Sequence, residues 1–127
     1  MGQQQLLLVI LVTILVGIAA VVAIDTMQES RTNSNESAVR QDILMIINDA
    51  QVYYKKPKMM DGGGGSFDGI SKEHILSIEP ENENGSYQIS GSGNTLTVTG
   101  TGTDENVGMV ATAVMTSDGL EVSWSTP

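Results

Sequence analysis

The sequence predicts an α+β fold, in which a long N-terminal helix packs by its second half on a C-terminal antiparallel β-sheet of about four strands. Three observations support this prediction. An uncharged apolar run stands near the N-terminus, an amphipathic stretch of helical period follows it, and short alternating segments separated by glycine-rich turns complete the chain. The boundaries that follow divide the sequence into residues 1–24, 25–57, 58–72 and 73–127.

The apolar run, which we call the apolar segment, extends from Leu6 to Ile24 and contains no charged residue. A helix of this length spans about 30 Å, the thickness of the hydrocarbon core of a bilayer. It is apolar on every face, so it must be buried in lipid or in a bundle of similar helices. A cleaved secretory signal is the less favoured alternative, because residues 1–5 include no basic side chain.

The amphipathic stretch begins at Ala38 and follows the four-three spacing of one helical face. The apolar stripe consists of Val39, Ile43, Ile46, Ala50 and Tyr53, widened by Ile47 and Tyr54. The charged residues Arg40, Asp42 and Asp49 are expected to fall outside this stripe.

No proline or glycine interrupts residues 25–56, which favours one continuous helix from about Gln3 to Tyr54 that stops before Pro57. Two helices separated by a break near Asn33 to Asn35 are the alternative. Residues 58–72 then form a loop, because the four glycines Gly62 to Gly65 disfavour both helix and strand. Phe67 and Ile70 are expected to anchor this loop, and the pair Met59-Met60 is expected to pack beneath the C-terminal region.

The remaining residues read as strands. Residues 86–90, 95–99 and 120–125 alternate apolar and polar side chains, and residues 107–116 are apolar enough for a central strand. Residues 117–119 carry a tight hairpin signal. Residues 74–79 form either a short strand or a helical turn that opens at Ser71.

Composition and net charge disfavour several classes of function. The chain of 127 residues carries a net charge of −9 and no cysteine, so it has no disulfide and no thiolate metal ligand. An acidic protein repels nucleic acid and anionic lipid surfaces, and neither is expected as a partner. The single histidine, His74, offers no second histidine for a transition-metal site or nucleophilic triad and is expected on the surface. We expect no enzyme activity and no cofactor.

Two further kinds of site remain open from the sequence. Calcium could bind at Asp104-Glu105 or at Glu79, Glu81 and Glu83, although a solvated turn is favoured because neither spacing matches a calcium-binding loop. Asn35 and Asn84 each begin an N-glycosylation acceptor pattern, and the many Ser and Thr residues could carry O-linked sugars.

The succession of features resembles the type IV pilins and pseudopilins, filament subunits that carry a class III signal. The residues that carry the resemblance are Gly17 to Ala20 within the apolar segment, the first charge at Asp25, the amphipathic stretch to Tyr54 and the glycine loop at residues 62–69. Gln5 stands where pilins usually carry glutamate if Met1 is the mature start, whereas processing before Gln3 would put Leu7 at that position. The helix also lacks the proline that is common in bacterial pilins.

The resemblance implies a structural subunit of an extracellular filament, which is held in the cytoplasmic (inner) membrane before assembly and then polymerises with identical copies through its N-terminal helix. Processing by a prepilin-peptidase-type enzyme, an assembly machinery and a role in adhesion or motility are implied with it. The residues that would build the helical core are Gln5, Leu6, Leu8, Ile10, Leu11, Ile14, Leu15, Gly17, Ile18, Val21, Val22 and Ile24. Two alternatives stay open: a pseudopilin or minor pilin of a secretion or DNA-uptake machine, and a single-pass membrane-anchored binding domain that does not polymerise.

Overall fold

The computed structural model describes residues 2–127 and confirms the α+β class. The N-terminal helix α1 (Gly2–Lys55) is followed by two short 3₁₀ helices (Lys58–Met60 and Lys72–His74). Five strands complete the chain: β1 (Glu81–Asn82), β2 (Gly85–Ser92), β3 (Thr95–Gly102), β4 (Gly108–Thr116) and β5 (Gly119–Ser125). The fifth strand beyond the expected four is the two-residue β1, which is too short to show alternation in the sequence.

The chain forms two compact units, one that ends at Asn33 and one that comprises Ser34–Pro127. We call the second unit the head. α1 runs without interruption through Asn33 and Asn35, so the alternative of two helices broken at this point is wrong. The last 22 residues of α1 belong to the head.

The sheet of the head is an antiparallel meander in which each strand pairs with the next along the chain. Its register pairs Val98 of β3 with Ala111 of β4, and Ala111 in turn with Trp124 of β5. The β4–β5 connection is the tight turn expected at residues 117–119, and Gly119 adopts a φ of 126° there. Strands joined by such short turns need no crossover, which is why the strand order follows the sequence.

The stripe of α1 covers one face of this sheet, as the sequence predicts. Val39, Ile43 and Ile46 are completely buried. They pack in one cluster with side chains from the sheet and the loop, chiefly Leu96, Val98, Ala111, Ala113, Tyr87 and Phe67. Phe67 and Ile70 are buried, which confirms their expected role as anchors of the loop.

The glycine loop closes the C-terminal end of α1. The backbone N–H groups of Gly63, Gly64 and Gly65 donate to the carbonyl oxygens of Tyr53, Lys56 and Tyr54, at 2.7, 2.8 and 2.8 Å. A Cβ on Gly63 would collide with the carbonyl oxygen of Ser66. The loop can therefore satisfy the carbonyl groups that the end of a helix leaves without partners only because its residues lack side chains.

Two expectations about this region are wrong, and one pair of alternatives is decided. Met59 and Met60 are 98% and 65% exposed rather than packed beneath the head, because Phe67, Ile70 and Tyr53 already occupy that part of the core. No strand covers residues 74–79, and the helical turn opening at Ser71 is the correct alternative. His74 is not a surface residue, since its side chain is only 15% exposed and its ring lies 4.4 Å from that of Tyr53.

Asp42 is the most informative correction. It was expected outside the buried stripe, yet it is only 7% exposed. Its Oδ2 accepts hydrogen bonds from the Tyr87 hydroxyl at 2.6 Å, from Asn84 Nδ2 at 2.9 Å and from Asn82 Nδ2 at 3.2 Å. A buried carboxylate is tolerated when several donors replace its water, and these donors come from β1, β2 and the turn between them. Asp42 therefore ties α1 to the beginning of the sheet.

We expect the Asp42–Tyr87 hydrogen bond to contribute to the free energy of unfolding as a coupled pair. Asp42→Ala should lower this free energy by about 3 kcal/mol and Tyr87→Phe by about 1–2 kcal/mol. The double variant should lose about 1–2 kcal/mol less than the sum, because either substitution alone already removes the bond. Denaturant unfolding of the four proteins in detergent measures this coupling. Gln41→Ala, one position away and exposed, is the control, and strictly additive losses would contradict the prediction.

Tyr87 also predicts how stability responds to alkaline pH. Burial, the hydrogen bond to Asp42 and the negative charge of Asp42 all raise the Tyr87 pKa above its ordinary value. Above a pH of about 10, a tyrosine in the unfolded chain releases its proton while Tyr87 in the folded chain keeps it. The folded state then binds more protons, so stability falls as pH rises, by up to about 1.4 kcal/mol per pH unit from this group. Tyr87→Phe should show a correspondingly shallower decline in unfolding measurements, and an unchanged slope would refute this explanation.

Candidate assembly segment

The apolar segment lies entirely in α1, and no part of the described chain covers it. Its large apolar side chains are between 53% and 66% exposed, from Leu11 at the lower limit to Leu7 at the upper. By length and composition this helix could cross a membrane, and none of its most apolar stretch is buried within the protein. The structure thus leaves a surface that water disfavours on all sides of the helix.

The structure places every residue expected in the helical core on this one helix. They are Gln5, Leu6, Leu8, Ile10, Leu11, Ile14, Leu15, Gly17, Ile18, Val21, Val22 and Ile24, and each of them is exposed. Because consecutive residues on a helix are 100° apart, this set reaches every face. The structure therefore confirms their helical placement, while their contact with neighbouring subunits stays a prediction.

Two threonine hydroxyls, one within the apolar segment and one just after it, have partners inside the helix. The Thr13 hydroxyl donates to the carbonyl oxygen of Val9 at 2.8 Å, and the Thr26 hydroxyl donates to that of Val22 at 2.9 Å. A hydroxyl that bonds to its own backbone does not need water, so it can enter an apolar environment at little cost. Thr13 therefore does not prevent burial of the segment in lipid or among other helices.

Gly17 is the one residue of the apolar segment for which no contact within the chain explains why the residue is small. A Cβ at this position would meet no atom within 4 Å. Glycine in the middle of a helix costs about 1 kcal/mol relative to alanine. Small residues allow helix backbones to approach closely, and Ala19, Ala20 and Ala23 provide further small side chains nearby. The glycine is therefore suited to close contact with a second helix.

The head carries a second exposed apolar surface that the sequence reasoning missed. Leu44, Met45 and Val52 lie on α1 away from the buried stripe and are 42%, 45% and 53% exposed. Leu44 and Val52 are eight residues apart, which puts them on the same helical face. The sequence indicates this surface, because these apolar residues lie outside the main stripe. Within the head, α1 is therefore partly apolar on both faces.

The polar side chains of the head that could be metal ligands or catalytic groups instead form hydrogen bonds that hold loops in place. Within residues 2–127 no three His, Cys, Asp or Glu side chains are grouped so that they could hold a metal ion. His74 Nδ1 accepts from the Ser71 N–H at 3.1 Å, and its Nε2 lies 3.4 Å from Asp61 Oδ2. Asp49 Oδ2 accepts the N–H groups of Leu76 and Ser77. These contacts fix the 3₁₀ turn and the residues after it against α1.

The two candidate glycosylation sites lie close together. Asn35 Nδ2 donates to the carbonyl oxygen of Asn84 at 2.8 Å, and Asn84 Nδ2 donates to Asp42. Both side chains are half-buried. Each side-chain amide nitrogen carries two hydrogens, and a glycan would replace one of them. The existing hydrogen bond would then have to be made by the other. Glycosylation at Asn35 and Asn84 stays a prediction.

Comparison with protein-family models, with curated proteins and with solved structures finds no match to this chain. The resemblance to pilins therefore depends on architecture. A long helix with an apolar N-terminal part and a C-terminal antiparallel sheet is compatible with that class. The apolar helix also fits a membrane anchor by length and composition.

Proposed function

We propose that this protein is the structural subunit of an extracellular type IV pilus-like filament, and that it polymerises through the apolar segment. The observation that carries the proposal is the exposure of every large apolar side chain from Leu6 to Ile24 on a helix whose continuation belongs to a folded, acidic head. Such a surface needs an apolar environment, and identical helices from other copies provide one.

In this proposal the segment first holds the subunit in the membrane and later packs against the same segment of other copies. Lipid and a helical bundle are both apolar, so the transfer needs little net desolvation. What favours the bundle is close packing, and Gly17 with its neighbouring alanines supports it because small residues let backbones approach. The acidic head, with its hydroxyl-bearing strands, then faces water at the cell surface.

In the same arrangement, Gln5 would form hydrogen bonds with a neighbouring copy. Its side-chain amide can donate and accept hydrogen bonds, and burying it without a partner would be costly. The first N–H groups of a helix have no partner within that helix. The Gln5 carbonyl oxygen can therefore accept from the N-terminal N–H groups of a neighbouring α1 without any ion pair, in place of the glutamate that pilins usually carry.

The experiment that tests the proposal compares Gly17→Leu with Gly17→Ala in the organism that makes the protein. A Cβ at this position meets no atom within 4 Å outside the adjacent helix backbone, and leucine raises helix propensity, so the subunit should stay folded and in the membrane. It should nevertheless block close helix packing, and electron microscopy of sheared cell-surface material should show loss of filaments. Gly17→Ala, which remains small, should retain them.

Leu6→Asp is the second variant. A charge in the apolar segment should release the subunit from the membrane and abolish filaments together, because both environments exclude charge. Filaments of normal number and length in Gly17→Leu would contradict a packed helical core. A wild-type protein that is retained in the membrane but never forms filaments would instead identify the chain as a single-pass anchored domain.

A further inference from the structure

The sheet of the head has two edges, and the chain covers one of them. At the outer edge of β2, the Tyr87 N–H donates to the Pro80 carbonyl oxygen at 2.8 Å. Just after β2, the Phe67 N–H donates to the Gly93 carbonyl oxygen at 2.7 Å, and a Cβ on Gly91 would collide with Phe67. The opposite edge is β5. Within residues 2–127, β4 is the only segment whose backbone bonds to β5, so the head has one open edge.

The hydrogen bonds of β4 decide which groups of β5 point outwards. The Met115 N–H donates to the Asn94 carbonyl oxygen at 2.9 Å, on the β3 side. Successive residues of a strand direct their N–H and C=O groups to opposite sides, so Thr116 points towards β5, where it pairs with Gly119. Every second residue after Gly119 therefore faces β4, and the residues between them face away. The residues that face the open edge are Leu120, Val122 and Trp124.

β5 lacks the features with which proteins usually protect an open edge. Its seven residues include no proline and no lysine, and its one-to-one register with β4 leaves no bulge. Glu121 is its only charged residue. The two residues after β5 continue beside β4 rather than folding over the edge, since a Cβ on Gly108 would lie 3.3 Å from Pro127. The outward N–H and C=O groups of β5 are thus available to another extended chain.

The sequence of β5 complements itself when two copies run antiparallel. With Val122 opposite its counterpart, Leu120 of each copy faces Trp124 of the other. All three side chains lie on the α1 side of the sheet, so these cross-strand pairs are apolar. Glu121 then lies opposite Ser123, and no like charges meet. If one strand slid by two residues so that Leu120 faced Val122, the two Glu121 side chains would be directly opposite, which is destabilising.

We propose that β5 of one head pairs with β5 of a second copy in the register centred on Val122, which joins the two five-stranded sheets into one. The contact is two-fold, because both copies use the same surface. Successive subunits of a filament whose copies all point one way are related by a rotation with a rise, which is not a two-fold operation. The pairing therefore joins subunits of two neighbouring filaments. This last step rests on the proposed function, whereas the pairing itself does not.

The strength of this contact in filaments comes from repetition. A pair of seven-residue strands buries less area than a stable dimer needs, so dispersed copies should associate weakly. Two filaments that lie side by side present many such edges at once, and linked contacts raise the overall avidity without any new kind of contact. We therefore expect the filaments to form side-by-side bundles.

The first test uses cysteine pairs in the full-length protein, which has no cysteine of its own. Glu121→Cys protein is mixed with Ser123→Cys protein in detergent and oxidised mildly. In the proposed register, positions 121 and 123 of two copies form a pair without backbone hydrogen bonds, whose Cα atoms lie about 4.5 Å apart. This separation permits a disulfide. We expect the mixture to form a disulfide-linked dimer that contains one of each variant.

The same variants reveal the register. Each variant alone should give about tenfold less dimer, because position 121 or 123 of one copy is diagonal to the same position of the other, at about 7–8 Å. Efficient dimer formation by Glu121→Cys alone or by Ser123→Cys alone would mean a shifted strand and would overturn the register. A mixture of Glu121→Cys with Ser117→Cys measures random collision, since Ser117 is also exposed and lies in the β4–β5 turn.

A matched pair of substitutions at Ser123 tests the pairing through charge. Ser123→Glu places a carboxylate opposite Glu121 twice in each dimer, whereas Ser123→Lys places an ammonium group there. We expect the dissociation constant of the dimer to rise about fivefold for Ser123→Glu and to fall about fivefold for Ser123→Lys. Sedimentation equilibrium in detergent measures both constants, in a Gly17→Leu background that prevents close packing of the apolar segments. Ser117→Glu and Ser117→Lys are the controls for net charge, and equal constants for the two Ser123 variants would overturn the pairing.

Val122→Pro blocks the open edge while the strand keeps its bonds to β4. The Val122 N–H faces outwards, and proline is tolerated on an edge strand where its missing N–H would face solvent. In the cysteine background this substitution should abolish the mixed disulfide, and in cells it should give single filaments in place of bundles by electron microscopy. Ser123→Glu should separate the bundles in the same way without any change to the backbone. Bundles that persist in both variants would contradict the proposed contact.

The outcomes separate the pairing from the proposed function. Filaments that assemble without the mixture-specific disulfide would overturn the pairing, leave the filament proposal standing and make a different extended chain the partner of the edge. A mixed disulfide in a protein that never forms filaments would support the pairing and overturn the proposed function. A mixed disulfide together with filaments that never bundle would overturn the placement of the contact between filaments.

Discussion

The head depends on the burial of one face of α1 against the sheet. Without the helix, the meander would expose Leu96, Val98, Ala111 and Ala113 to water, and without the sheet the stripe of α1 would have no cover. Each partner is insufficient alone, since an antiparallel sheet of this size needs one face protected. Helix and sheet therefore form one cooperative unit from Ser34 onwards, although the helix itself begins more than thirty residues earlier.

Polar contacts determine where along the helix this packing occurs. Asp42 accepts from three donors of the β1–β2 region, and Asn35 bonds to both neighbouring turns. Apolar side chains on a stripe could slide by one turn at moderate cost, whereas hydrogen-bonded pairs in a buried setting cannot do so without leaving groups unsatisfied. The apolar stripe thus drives association, and the amide and carboxylate side chains select one register.

The sequence predicts the helix, its buried stripe and most strands because these follow from spacing alone. The helical spacing of Val39, Ile43 and Ile46 predicts that they share one face of α1, and the alternation of apolar and polar residues in 95–99 predicts a strand. Asp42 and His74 could not be placed in this way, since their burial depends on partners that arrive through folding, such as Tyr87 some 45 positions further on. The exposure of Met59 and Met60 depends likewise on which other side chains fill the core first.

For the apolar segment, the sequence predicts that it must be buried but not which environment buries it. Periodicity and length establish that residues 6–24 need an apolar environment, but lipid and neighbouring helices satisfy that need with the same chemistry. Gly17 is the residue at which the two environments differ in what they require, because a small residue matters to a closely packed neighbouring helix and not to lipid.

The glycine loop has a consequence for the lysines around the end of α1. At the C-terminus of many helices, lysine or arginine side chains fold back to bond the last carbonyl groups and offset the partial negative charge there. In this protein the amides of Gly63 and Gly65 bond the carbonyl oxygens of Tyr53 and Tyr54, and the amide of Gly64 bonds that of Lys56, just after the helix. Lys55, Lys56 and Lys58 are therefore not needed to bond these groups. Backbone amides of a glycine loop thus do at this helix end what lysine side chains do at others.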